Sequence, residues 1–243
     1  MPSRAGANAV DLWYALTADC PADALLGRFG PALSADEHER HARLVHAGDR
    51  HVFLLSRALL RLALSKTLGA EAGSFSIELG AGGKPRVAGG VEFNLSHTVD
   101  ATGAGAAVVA VSRGIAVGVD MEPASRGVEL AELVSRRYAD AEREMLERCA
   151  PGERHRRTVW MWTAKEAVLK ATGEGLRRSP ESVVIEWGDD GRVRTPGWEL
   201  ARFAAGGYLG SLASTACLGE LRATWRSGGE LGPASGRAIE LLR

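Results

Sequence analysis

Apolar residues recur along the first half of the chain, first at strand spacing, then at helix spacing, then again at strand spacing. Ser34 and Glu37 have the spacing of a capping box that begins a charged helix. The next helix should take Asp49 as its N-cap and end at Gly69. The last two strands, joined at Arg113-Gly114, suggest an antiparallel meander. The predicted elements are a strand at 10–16, helices at about 35–46 and 50–68, and strands at 75–79, 91–97, 104–112 and 115–121.

The second half repeats this order loosely. No clear sequence repeat accompanies the similarity, so the two halves are related by pattern only. The pattern predicts an α+β protein built from two similar halves, residues 1–113 and 114–243. The predicted elements of the second half are helices at about 128–138, 140–149 and 156–172, then strands near 182–187, 192–194, 198–204, 208–215 and 220–226.

Composition is that of an ordinary globular protein, with 45% hydrophobic and 25% charged residues. The 30 basic and 30 acidic residues cancel, which argues against non-specific nucleic-acid binding. The best apolar stretch, Ala104–Val111, is too short to cross a membrane, and the amino terminus lacks the apolar core of a secretory signal. Three widely separated cysteines fit neither a zinc site nor a disulfide framework. These features predict a cytoplasmic protein that binds neither membrane nor nucleic acid.

Two acidic residues, Asp120 and Glu122, stand two positions apart at the end of a predicted strand. They should face the same side, with Cα atoms roughly 7 Å apart. Two such carboxylates repel each other unless a cation lies between them, and Mg²⁺ prefers oxygen ligands of this kind. Two exposed acids at a strand end would give the same short pattern, which is common.

Glu166 and Lys170 lie in a predicted helix that is apolar at most other positions. A buried carboxylate costs several kcal/mol unless it is paired or bound to metal. The two residues could form an i,i+4 ion pair, but such a pair contributes only about 0.3–0.5 kcal/mol on an exposed helix. That contribution is too small to explain two charges in so apolar a setting, which favours a functional role.

Groups suited to binding phosphate precede the acidic residues. Lys84 lies on a glycine-flanked turn where a phosphate can approach the backbone, and Ser96 and His97 end a predicted strand. A lone histidine at a strand end is more often structural. Taken together with the acids, these residues fit phosphoryl transfer, where catalysis is mainly positioning and charge neutralisation.

Four segments, GKPRV, FNLSHT, GVDME and WTAKEAVLK, in this order and spacing, resemble the 4′-phosphopantetheinyl transferases of the surfactin-synthetase-activating (Sfp) type. The resemblance runs from about Ser34 to Leu176. Its most specific part is the pair GVDME and WTAKEAVLK. Enzymes of the enterobactin type share this pair but usually carry a Trp/Pro-rich segment where this chain has GGKPRV and FNLSHT. The surfactin type is therefore favoured.

The resemblance implies a monomeric enzyme that moves the phosphopantetheine arm of coenzyme A to a serine of an apo acyl or peptidyl carrier protein, releasing 3′,5′-ADP. The carriers would belong to nonribosomal peptide, polyketide or fatty-acid synthases, with broad specificity and a place in secondary metabolism. It also implies a pseudo-dimer of two α+β halves with the active site between them.

Residue by residue, the resemblance assigns Asp120, Glu122 and Glu166 to Mg²⁺, with Mn²⁺ as an alternative ion. Glu166 would also be the base for the carrier serine, and Lys170 would neutralise charge on the phosphate and leaving group. Coenzyme A would be held by Arg50, Arg57, Lys84, Pro85, Ser96, His97, Asp120 and Lys170.

Some points stay open at the level of the sequence. Relatives place basic residues of the first-helix region against the 3′-phosphate of coenzyme A, and this region contains Arg40, Arg43 and Arg50 here. Arg50 and Arg57 are the expected contacts here, although they would also fit a solvated basic helix edge. Met121, between the two acids, cannot serve as a carboxylate ligand. Two other classes remain: a metal-dependent phosphoesterase that hydrolyses coenzyme A without a carrier, and a non-catalytic module that binds coenzyme A or a carrier.

Overall fold

The chain folds into two four-stranded sheets, two small hairpins and six α-helices across the part that the structure describes. The computed structural model describes residues 9–80, 83–174, 178–188, 190–215, 224–227 and 240–242. The strands are β1 (Val10–Leu16), β2 (Glu78–Leu79), β3 (Pro85–Arg86), β4 (Val91–Val99), β5 (Gly105–Arg113), β6 (Val117–Pro123), β7 (Glu186–Trp187), β8 (Val193–Arg194), β9 (Glu199–Ala205), β10 (Tyr208–Ser214), β11 (Thr224–Ser227) and β12 (Glu240–Leu242). The helices are α1 (Ala22–Phe29), α2 (Ala35–Arg43), α3 (Ala47–Leu68), α4 (Gly127–Arg137), α5 (Asp140–Glu147) and α6 (Pro151–Thr172).

The two sheets repeat one strand order. In the first sheet β5 lies antiparallel between β1 and β4, and in the second β10 lies antiparallel between β6 and β9. Each half also runs from a strand through helices to a 22-residue helix, a small hairpin and two strands. The predicted α+β fold with two similar halves is therefore confirmed. Of the strand predicted at 220–226, residues 220–223 lie outside the described part of the chain.

β5 and β6 lie in different sheets, so the predicted meander through Arg113-Gly114 is wrong. Gly114 takes a left-handed conformation (φ 73°) that glycine adopts at no steric cost, and the chain leaves the first sheet there. β6 then pairs with β10 along its whole length. Alternating apolar residues predicted both strands, but alternation does not specify a strand's partner. We keep the domain boundary after residue 113 as a proposal, because β11 returns to pair with β1.

Apolar side chains hold the sheets and helices together in four layers. Trp13 and Ala15 of β1 face α3, whereas Leu12 and Tyr14 face the second sheet. The far side of the second sheet is covered by α6. Burying one large apolar side chain contributes about 1.5–3 kcal/mol, so these layers supply most of the stability. No helix in the described ranges combines the length and the hydropathy that a membrane crossing requires.

Three helix ends were predicted from the sequence. The structure confirms two of these predictions and contradicts one. The capping box is present, since the N–H of Ser34 donates to Glu37 at 2.9 Å and the N–H of Glu37 donates to Ser34 Oγ at 3.2 Å. Gly69 ends α3 with φ 69°, as predicted. The prediction that Asp49 caps α3 is wrong, because the N-cap is His46. Asp49 lies in the first turn, where its charge complements the helix dipole.

Helix α6 lies directly against β6 because Gly118 has no side chain. A Cβ atom at this position would overlap the carbonyl oxygen of Ala167 and stand 2.5 Å from the backbone nitrogen of Ala171. Asp120 follows two residues later on β6, and Lys170 precedes Ala171 on α6. The glycine therefore permits the approach that brings these two side chains together.

We expect Gly118→Ala to lower the free energy of unfolding by about 1–3 kcal/mol or more, because overpacking usually costs this much. Urea unfolding would measure the change. Gly27→Ala is the matched control: it lies in α1 with no atom within 4 Å of the added Cβ. That change should be neutral or stabilise the helix by about 0.5–1 kcal/mol. Equal changes in the free energy of unfolding for the two substitutions would contradict the close contact between β6 and α6 at Gly118.

Candidate active site

Side-chain hydrogen bonds join the facing edge strands of the two sheets, β4 and β6. Bonds of 2.7–2.9 Å cross this seam from the N–H of Val119 to Asn94, from Ser96 to Asp120, and from Thr98 to Glu122. Alternate residues of each strand therefore point into the seam, as strand geometry requires. The prediction that Asp120 and Glu122 face the same side is confirmed.

Asp120 is held by two donors at one of its oxygens. Its Oδ1 atom accepts hydrogen bonds from Ser96 Oγ at 2.7 Å and from Lys170 Nζ at 2.6 Å. Lys170 also donates to Ser96 Oγ at 3.0 Å. Because Asp120 is only 5% exposed, its charge needs such compensation. Among the described residues, the hydrogen bonds of Lys170 therefore go to Asp120 and Ser96 and not to Glu166.

Glu122 is held in a similar way. Its Oε2 atom accepts from Thr98 Oγ1 at 2.9 Å and from Arg126 at 2.7 Å. Burial, and after it the charge of Asp120, raise the pKa of the Glu122 carboxyl above its ordinary value, and these hydrogen bonds oppose the increase only in part.

Glu166 belongs to the same electrostatic group. Burial raises its pKa most, the charge of Asp120 raises it further, and Lys170 opposes the increase. Asp120, Glu122 and Glu166, called the acid cluster below, are thus close enough to influence one another. Hydrogen bonds join Asp120, Ser96 and Lys170, and Glu166 lies within electrostatic reach of this group, although these residues come from three separate segments of the chain.

The acid cluster has the chemistry of a site for a hard divalent cation. The pKa values of Glu122 and Glu166 are raised mainly by burial and then by the charge of Asp120, and a bound cation would offset both effects. As placed in the described ranges, no three His, Cys, Asp or Glu side chains stand close enough together to hold a metal ion by themselves. Water and substrate oxygens would have to complete the coordination, as they usually do for Mg²⁺. The carboxylate oxygens are of the kind that Mg²⁺ prefers, and the assignment of these three residues to the ion stays a prediction.

A cleft of about 510 Å³ opens beside the acid cluster, between the two halves. Thr98 and Arg126, the two partners of Glu122, lie in its wall. Arg40 and His97 line it from the first half. Its volume falls within the range of sites that bind small molecules.

His97 lines this cleft close to three cationic side chains and to the acidic Asp49. Burial, and then the positive charges of Arg57, Lys170 and Arg40, lower the pKa of its imidazole to about 4. The ring is therefore neutral near pH 7. Around His97 the three cationic groups outnumber Asp49, so the local charge at this ring favours an anion.

We expect His97 to make the fold sensitive to acid. The unfolded chain takes up this proton near pH 6.5, but the native protein does so only near pH 4. The free energy of unfolding is therefore unaffected by this histidine above about pH 6.5. It should decrease by up to ~3 kcal/mol as the pH falls toward 4, because the unfolded chain binds the proton first. Urea unfolding at several pH values should show that His97→Gln removes this dependence, whereas replacing the exposed His46 by Gln leaves it intact. If the free energy of unfolding varied with pH in the same way in the wild type and in His97→Gln, His97 would not be the source of the acid sensitivity.

The two arginines expected at the 3′-phosphate lie in different surroundings. Arg50 donates two hydrogen bonds of 2.8 Å to backbone carbonyls just beyond the end of α2. Arg57 packs 5.0 Å from the ring centre of Phe53 and lies 3.6 Å from the carboxylate of Glu37. Neither lines the cleft, whereas Arg40 does. Their phosphate-binding roles stay predictions, and Arg40, which the sequence placed in the same basic region, joins them as a candidate because it lines the cleft.

Lys84 lies near the carboxyl end of α6. Its Nζ donates to the Ala171 carbonyl at 3.1 Å and to a β6 carbonyl at 3.4 Å, and it lies 3.5 Å from Glu92. This placement suits the negative end of the helix dipole. Lys84 lines a second cavity of about 420 Å³ that shares no described lining residue with the cleft. Pro85, the next residue, begins β3, and Gly82 of the predicted turn lies outside the described residues.

Sequence reasoning missed Thr98 and Arg126 as parts of the site. Thr98 follows Ser96 by two residues, so strand alternation places both on the same side of β4. Arg126 follows Glu122 by four residues, across the end of β6. The spacing was visible in both cases, but nothing in it distinguished these side chains from ordinary surface polar residues.

Sequence comparisons with known proteins agree with the motifs. The sequence profile of the 4′-phosphopantetheinyl transferase superfamily matches residues 116–207. The chain is 31% identical over 199 residues to the 4′-phosphopantetheinyl transferase HetI of Nostoc sp., covering 79% of this chain and 81% of the relative. It is 25% identical over 168 residues to the 4′-phosphopantetheinyl transferase Sfp of Bacillus subtilis, covering 68% and 71%. A crystal structure of a holo-(acyl-carrier-protein) synthase from Bacillus anthracis in complex with CoA (3′,5′-ADP) matches with a TM-score of 0.36 and 17% identity, covering 41% of this chain and 95% of that chain.

Proposed function

The chain belongs to the 4′-phosphopantetheinyl transferase superfamily, and from this premise we propose that it transfers the phosphopantetheine arm of coenzyme A to a serine of an apo carrier protein, releasing 3′,5′-ADP. The observation that carries the proposal is the acid cluster with Lys170 beside the cleft that Arg40 and His97 line. This arrangement supplies carboxylates and a cation where a phosphate chain and an incoming hydroxyl must meet.

The cleft is the proposed place for the phosphates at the nucleotide end of coenzyme A. Arg40 and His97 line its wall, and Arg57 adds positive charge close to His97. Phosphate binding there would favour the protonated form of His97, because an anion next to an imidazole raises its pKa. Lys84 and Pro85, beside the second cavity, are proposed to contact another part of coenzyme A.

Glu166 is the proposed general base. The serine oxygen of the carrier would attack the phosphorus next to the pantetheine arm as Glu166 takes the serine proton. The bond from that phosphorus to the leaving 3′,5′-ADP would break. A raised pKa suits a base that works near neutral pH. Lys170, held on Asp120 and Ser96, would stabilise the negative charge that develops on the leaving phosphate.

Asp120, Glu122 and Glu166 are the proposed ligands of Mg²⁺, with Mn²⁺ as an alternative. When bound, the ion would neutralise the charge of the diphosphate. The contribution of the protein is to hold these carboxylates at fixed positions along the seam, through Ser96 and Lys170 on Asp120 and through Thr98 and Arg126 on Glu122.

The surfactin-synthetase type is the proposed subtype. The segments GGKPRV and FNLSHT support it, and Sfp is among the relatives at modest identity. HetI is also similar, so the motifs carry more weight here than overall identity does. Broad action on acyl and peptidyl carriers of secondary metabolism, a monomeric state and a cytoplasmic location belong to the same proposal.

An assay of 3′,5′-ADP release distinguishes this function from its alternatives. The purified chain would be incubated with coenzyme A and Mg²⁺, with and without an apo carrier. We expect release only when the carrier is present. Release without a carrier would instead indicate a phosphoesterase, and binding of coenzyme A with no release under either condition would indicate a binding module.

A further inference from the structure

The two seam acids share one hydrogen-bonding arrangement. Oδ1 of Asp120 accepts from Ser96 and Lys170, and Oε2 of Glu122 accepts from Thr98 and Arg126. In each case a neutral β4 hydroxyl and a cationic side chain bind the same oxygen. The other oxygen of each carboxylate accepts no hydrogen bond from the described residues. Each acid thus has one oxygen engaged by the protein and one left for a ligand.

Thr98 is the more rigid of the two groups on Glu122. It is 9% exposed and sits within β4, where backbone pairing to β5 holds it in place. The side chain of Arg126 is 42% exposed and also lies 3.5 Å from Glu129, so its position is less restricted. Thr98 is neutral, which means that it affects the orientation of the carboxylate without adding a charge that would repel a cation.

We propose that Thr98 is a positioning residue for Glu122. Its hydroxyl binds Oε2 and thereby leaves Oε1 as the oxygen available to a divalent cation. The proposal rests on the proposed function, because it concerns the ion assigned to the acid cluster. Groups that orient metal ligands typically change metal affinity or activity 10–100-fold when they are removed.

The test is a titration of Mn²⁺ into the enzyme with coenzyme A present, followed by the electron paramagnetic resonance signal of the free ion. Thr98→Val keeps the shape of the side chain and removes the hydroxyl. We expect it to weaken Mn²⁺ binding about tenfold or more, and Thr98→Ser to restore binding. Thr158→Val is the matched control, since Thr158 is a buried threonine whose hydroxyl bonds to a helix carbonyl, two turns from Glu166.

Each outcome has a distinct meaning. Weaker binding in Thr98→Val alone, with rescue by serine, supports the positioning role. Unchanged affinity in Thr98→Val, with normal binding by the wild type, overturns the role of Thr98 and leaves the proposed function intact. Equal weakening in Thr158→Val also overturns it, because the effect would then follow from any lost buried hydroxyl. Failure of the wild type to bind Mn²⁺ overturns the metal assignment as well.

Discussion

Glu166→Gln should lower carrier-dependent release of 3′,5′-ADP about 10²–10⁴-fold, the usual contribution of a positioned general base. Glutamine has nearly the same shape but neither accepts the serine proton nor carries negative charge. Because a protonated carboxyl cannot accept the serine proton, activity should also decline on the acid side of the wild-type pH profile, and Glu166→Gln should remove that decline. Steady-state rates measured across pH would test both expectations.

The matched control lies on the same helix. Glu153 is 53% exposed and pairs with Arg157, so Glu153→Gln should leave the rate within about twofold, as surface substitutions usually have small effects. A Glu166→Gln enzyme that keeps most of its activity would show that another group accepts the proton. In that case the place of Glu166 in the acid cluster would be electrostatic only.

Lys165→Met should be the most damaging substitution for stability, lowering the free energy of unfolding by about 3–5 kcal/mol. The Lys165 side chain is 0% exposed and lies 2.7 Å from Glu142, whose side chain is 1% exposed. Lys165 also donates to the carbonyls of Pro180 and Val183. Removing the lysine leaves the Glu142 charge buried without its cation, and burial of an uncompensated charge is the main cost.

Replacing both partners tests that explanation. The double substitution Lys165→Met with Glu142→Leu removes both charges and should cost less than the sum of the two single changes. Arg148→Ala breaks an exposed pair with Glu144 on α5 and should cost less than about 1 kcal/mol. Urea unfolding of the set provides the comparison. If the double variant lost as much free energy of unfolding as the two single variants together, Lys165 and Glu142 would not form a coupled buried pair.

Local periodicity predicted much of this site. Strand alternation placed Asp120 and Glu122 on one side, and helix spacing marked Glu166 and Lys170 as charges in an apolar helix. Both inferences concern neighbours within one element, where geometry follows directly from the spacing. The resemblance to a family then supplied the substrate, which spacing does not contain.

Long-range partners could not be predicted in this way. Nothing near Lys170 in the sequence indicates that it bonds to Asp120, which is 50 positions away. Lys165, one residue from the predicted base, gave no local sign that its partner is Glu142 on another helix. The pairing of β6 with β10 was missed for the same reason. These contacts depend on how whole elements pack, and the sequence pattern of one element does not determine its packing partner.

The basic residues show a related limit. The resemblance assigned Arg50 and Arg57 to coenzyme A from their place in the first-helix region, but the Arg50 side chain binds a helix end and the Arg57 side chain packs on an aromatic ring. Arginine has a long side chain with five donors, so its Cα position only weakly determines where its charge lies. Arg40, on a different helix, reaches the cleft instead.

The central claim is transfer of phosphopantetheine to a carrier serine at the acid cluster. Its most direct test is the intact mass of apo acyl and peptidyl carriers after incubation with the chain, coenzyme A and Mg²⁺. Matched carriers with the acceptor serine changed to alanine serve as controls. We predict a gain of one phosphopantetheine group on the native carriers, none on the alanine carriers, and a strong reduction with Glu166→Gln. Unchanged masses across carriers from all three kinds of synthase would contradict the claim.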